Sequence, residues 1–81
     1  MLNGPFKTYY ENGGVEAAGE CKSQRRHGLF TAYYPNGKIK EQGEYIADRK
    51  HKDWNEYDEQ GKLILTFVFK AGILLETKEN H

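Results

Sequence analysis

The chain has 81 residues, twelve basic side chains against twelve acidic ones, a single cysteine, and eleven aromatic residues (four Phe, six Tyr, one Trp). That length allows one domain, 1–81, and one that buries only about 60 % of its unfolded surface. The even charge balance argues against nucleic acid as a partner, one cysteine excludes an internal disulfide, and no apolar run is long enough to cross a bilayer as a helix. Read as a full native chain with no signal h-region, it is expected in the cytoplasm.

In chain order, alternating apolar and polar residues predict strands over Phe6–Tyr10, Val15–Lys22, Leu29–Tyr34, Ile39–Ile46, Trp54–Tyr57, Leu63–Lys70 and Ile73–Thr77. Turns of one kind fall at Asn12-Gly13, Asn36-Gly37 and Gln60-Gly61, and of another at Ser23-Gln24, Ala47-Asp48 and Ala71-Gly72. Every connection is short, so the strands form an antiparallel meander. The Asn36-Gly37 pair, set between alternating runs, predicts a type I′ hairpin with Tyr34 opposite Ile39, Ala32 opposite Glu41 and Phe30 opposite Gly43. An aromatic over a strand glycine restores packing that glycine lacks, so Phe30 is expected to lie over Gly43.

The hairpin recurs every 24 residues. Phe6, Phe30 and Trp54 are in step, as are Tyr9, Tyr33 and Tyr57, then Gly13, Gly37 and Gly61, then Val15, Ile39 and Leu63. The register continues through Cys21, Tyr45 and Phe69, giving copies at about 4–27, 28–51 and 52–75. The expected fold is all-β, a single-layer curved antiparallel meander of tandem 24-residue hairpins. The third copy departs from the pattern: Lys52 replaces Gly4 and Gly28, Gln60 replaces the turn asparagine, and Phe67 replaces Gly19 and Gly43.

The unit, glycine, an aromatic two residues on, then Tyr and Asn-Gly-Lys-aliphatic, resembles the MORN-repeat proteins, and most of all the variant group of YwqK-like antitoxins. The resemblance runs from Gly4 to about Leu75. It implies a hairpin scaffold with no cofactor and a role in binding other molecules, a protein partner such as a toxin foremost.

Pairing across both turn types assigns faces. One collects Phe6, Tyr10, Val15, Phe30, Tyr34, Ile39, Tyr45, Trp54, Leu63, Leu65, Phe67 and Phe69; the other is charged and crossed by Tyr9, Tyr33 and Tyr57. Tyr10, Phe30, Tyr34, Tyr45 and Trp54 are therefore the candidate partner-binding residues, with strand addition at a sheet edge as the other docking mode. Cys21 shares the Tyr45 position and is expected to be half-buried. His27 and His51 are equivalent residues without a recurring third ligand, so no metal site is expected. Glu41 with Glu44 and Asp58 with Glu59 read as solvated charge, and the chain is expected to be no enzyme. Arg25, Arg26, His27, Arg49, Lys50, His51 and Lys52 line one basic edge by the second kind of turn, and anionic phospholipid is the alternative partner it would suit. From Leu63 onward both faces are apolar. A homodimer is expected to cover that margin through Val68, Ile73 and Leu75.

Overall fold

The computed structural model describes residues 3–79. Among them every regular element is a strand: β1 (Gly4–Tyr9), β2 (Val15–Lys22), β3 (Arg25–Arg26), β4 (Gly28–Tyr33), β5 (Ile39–Ile46), β6 (Arg49–Tyr57), β7 (Leu63–Lys70) and β8 (Ile73–Glu79). They form one open antiparallel sheet in the order β1-β2-β4-β5-β6-β7-β8, with β3 paired to β2 off that path. The extents are 39 × 34 × 13 Å. The short axis is a single layer, thickened well beyond a flat pleat by twist and bowing.

The Asn-Gly turns do not take the type I′ geometry expected of them. Gly37 N–H donates to Tyr34 O (2.8 Å) and Tyr34 N–H to Lys38 O (2.8 Å), and only Gly37 of the Asn-Gly pair has positive φ (90°). This is a type I turn closed by a glycine bulge, in which Pro35 supplies the fixed φ of the first central position. The extra residue shifts the register, so Tyr33, not Tyr34, lies opposite Ile39, while Ala32–Glu41 and Phe30–Gly43 pair as expected. Asn36 Oδ1 accepts from Lys38 N (2.9 Å), and Asn12 does the same for Gly14 N (2.8 Å). Gln60 is too long for that bond; Asp58 Oδ1 takes it over, accepting from Gln60 N and Lys62 N (both 2.9 Å).

The two-residue turns are instead the pairs Ser23-Gln24, Ala47-Asp48 and Ala71-Gly72, all six residues with positive φ, as a type I′ turn requires. Each is flanked by a closing pair, Lys22–Arg25, Ile46–Arg49 or Lys70–Ile73. Beyond each of the first two turns the outgoing strand bulges around Gly28 (φ 95°) or Lys52 (φ 64°). The β6 strand passes through its bulge and so begins at Arg49 rather than Trp54.

Bulge and twist together decide the core. Phe6, Gly19, Phe30, Gly43, Trp54 and Phe67 succeed one another across the sheet, ring against glycine. A methyl on Gly43 would run into the indole of Trp54, so the ring over that glycine is Trp54 from the following copy and not Phe30. Phe30 leans over Gly19 with Phe6, 3.2 Å and 2.9 Å from where a Cβ would stand. Copies thus interlock: each glycine is a socket for the next ring.

Candidate functional site

Trp54 is the centre of the aromatic face. It is 0 % exposed, with Tyr45 edge-on at 4.8 Å between centroids and Phe30 at 5.8 Å. Its indole N–H donates to Glu44 O at 3.1 Å. Phe30 in turn meets Tyr45 edge-on (5.5 Å) and Phe6 (6.5 Å). Edge-to-face rings add roughly 0.5–1.5 kcal/mol per pair beyond burial, and a one-layer protein has little else to bury. Cys21 is buried here rather than half-buried.

Of the five aromatic residues expected to meet a partner, Tyr45 and Trp54 are therefore core, with too little surface left to offer one. Tyr10 and Tyr34 are half-buried and clip successive copies together, each phenol donating to a carbonyl of the next copy: Tyr10 to Tyr33 O (2.6 Å) and Tyr34 to Tyr57 O (2.7 Å). Phe30, also half-buried, keeps part of its ring on the surface.

The basic edge is divided between faces. A two-residue turn puts Arg26 opposite Cys21 and Lys50 opposite Tyr45, which aims both side chains onto the aromatic face. Arg26 lies over the Tyr45 ring, 4.2 Å from its centroid, donates to Tyr45 Oη at 3.0 Å and pairs through Nε with Asp48 Oδ1 at 3.0 Å. The same Asp48 oxygen accepts from Arg26 backbone N–H at 2.9 Å. That backbone bond, then the guanidinium bond, holds the Asp48 carboxyl below its ordinary pKa. Arg26 is held above its ordinary value by the Asp48 bond, and Tyr45 is raised by burial, with Arg26 opposing. Lys50 lies 4.6 Å from the centroid of Trp54 and 5.3 Å from that of Phe69, with Glu41 at 3.6 Å. Lys52 reaches Glu44 at 4.0 Å. Sequence reasoning missed this clasp because it left the two-residue turn unassigned; the turn length fixes which face each basic residue takes.

The opposite face carries a row of neutral polar partners, Thr31, Gln42, Asn55 and Thr66, joined by Gln42 Nε2 to Thr31 Oγ1 (3.3 Å) and Thr66 Oγ1 to Asn55 Oδ1 (2.8 Å). Beside it lies a shallow basin of about 670 Å³ whose apolar wall is Leu29, Val68 and Leu75. Among the described residues, no three His, Cys, Asp or Glu side chains gather as a metal would require.

At the sheet margins the contrast is plain. All seven residues of β8 are exposed, and its run from Ile73 to Glu79 contains no proline. The other margin, β1, carries Pro5.

A family model described as MORN repeat variant matches residues 2–20 and 26–47, half of the chain. The chain belongs to the MORN repeat variant family. No curated protein and no solved structure matches it. The two matched segments fall in the first two copies, while the third, with Lys52, Gln60 and Phe67, lies outside the match. MORN repeats are interaction modules for proteins and membranes, and the hairpins seen here are that scaffold.

Proposed function

We propose that this MORN repeat protein is a protein-interaction module that takes its partner along the outer edge of β8 by strand addition. The observation that carries this is the exposure of all seven residues of β8, with its outward N–H and C=O groups unblocked by proline. Main-chain hydrogen bonds would supply affinity. Specificity would come from Ile73, Leu74 and Leu75, 65 %, 50 % and 60 % exposed. The finer reading is an antitoxin-like neutraliser acting in the cytoplasm, supported by the resemblance of the repeat unit to the YwqK-like group. The geometry favours lipid less, since Arg26, Lys50 and Lys52 are already engaged by Asp48, Glu41 and Glu44.

The test is hydrogen exchange on a complex recovered from the source cell. Slowed exchange across Ile73–Glu79 is the expected result. Unchanged exchange there, with protection at residues 49–52 or salt-sensitive co-sedimentation with anionic vesicles, would overturn it in favour of the turn edge.

A further inference from the structure

A folded monomer of 9.4 kDa is expected to expose about 5,000 Å², yet this chain exposes 5686 Å². The difference, roughly 700 Å², is close to the ~800 Å² that each partner contributes to a standard interface. Part of the apolar exposure is gathered on one face. The aromatic face encloses its own rings, whereas the opposite face leaves Leu29 68 % and Leu75 60 % exposed on the wall of the basin, with Val68 between them.

The charges on the basin rim narrow the occupant. Glu44 and Asp53 stand against Lys52 and Lys70, two of each sign. Lys52 already reaches Glu44, and Asp53 and Lys70 have no ion pair among the described residues. A surface apolar at its centre and balanced in charge at its rim complements itself under a two-fold axis, because each acid can meet the base of the other copy. A partner of one dominant charge would leave half the rim unmatched.

We infer that the face formed by β4–β8 opposite the aromatic rings is a homodimer interface, walled by Leu29, Val68 and Leu75, with Asp53 of each copy paired to Lys70 of the other. Two such layers, packed about 10 Å apart, make the two-layer sandwich that a single sheet lacks. The dimer is read from assembly mass and the proposed function from exchange along β8, so although both use Leu75 the failure of one is distinguishable from the failure of the other.

Sedimentation equilibrium across the micromolar range tests it, with twice the chain mass of 9.4 kDa as the expected result. Leu29→Asp with Leu75→Asp should give a monomer whose circular dichroism matches the parent and whose thermal midpoint, unlike the parent's, no longer rises with protein concentration. Asp53→Lys should weaken association by about tenfold or more, and adding Lys70→Asp to the same chain should restore it. Leu74→Asp, on the aromatic side of β8, should leave the dimer intact. A parent chain that stays monomeric, a dimer that survives the Leu29/Leu75 pair, or one lost with Leu74→Asp (which would mean edge-to-edge pairing) overturns the inference.

Discussion

The second and third copies share one backbone but differ in several of the side chains that shape it. Gly28 and Lys52 both take positive φ, as do Gly37 and Gly61 at the bulged turns and both residues of Ala47-Asp48 and Ala71-Gly72. Yet the second copy has glycine where the third has Lys52, and a glycine socket where the third has Phe67. It also has the Arg26–Asp48 clasp where the third has only Gly72 N–H donating to Lys50 O (3.0 Å). The comparison teaches that pairing with neighbours and the spacing of turns impose the hairpin, while local side chains decide what it costs. Phe67 also shows how the aromatic stack stops. The residue 24 beyond Trp54 is Lys78, so no further ring arrives, and Phe67 fills the place of the socket itself.

The largest effect should come from breaking the second copy's socket. Trp54→Ala empties the most buried position and should cost about 3–5 kcal/mol in urea unfolding, and Gly43→Ala, which puts a methyl into the indole, about 3 kcal/mol. A loss under about 1 kcal/mol for either would mean that the ring does not seat on the glycine. Next is Phe30→Ala, expected at roughly 2–3 kcal/mol because the ring is half-buried among Phe6, Tyr45 and Trp54. A cost as large as that of Trp54→Ala would move the centre of the core to Phe30.

Lys52→Gly sharpens the comparison from the other side. It gives the third copy the glycine of the second and removes a left-handed lysine (φ 64°), so stability should rise by about 1 kcal/mol. A neutral or negative change would show that the Glu44 contact outweighs the backbone strain. The smallest effect is that of Asp48. Its folded pKa is depressed by the bonds from Arg26, so its contribution is present above the ordinary carboxylate range and is lost as pH falls through the folded value. Asp48→Asn should therefore lower neutral stability slightly and flatten the acid limb of a stability–pH profile, so that the two proteins converge at low pH. An identical acid limb in both proteins would show the clasp to be without thermodynamic weight.

The 24-residue period, the all-β meander and the bounds of Val15–Lys22, Ile39–Ile46 and Leu63–Lys70 were legible in the sequence. Each is local: alternation sets a strand's faces, and the next turn residue ends it. The Phe30–Gly43 register followed by counting back from the turn, and held because the bulge displaced only Tyr33. Turn type was not legible from Asn-Gly alone, since a type I′ pair and a type I turn with a glycine bulge both want that glycine; Pro35, which suits the latter, was the signal to weigh. Which ring covers Gly43 depended on tertiary structure, because cross-strand pairing names Phe30 while bulge and twist bring Trp54 across from the next copy. The same holds for Arg26 and Lys50. Composition marks them as one basic strip with Arg25 and Arg49, and only the hairpin geometry turns alternate residues toward the rings, where cation meets π-face while each side chain stays partly open to solvent.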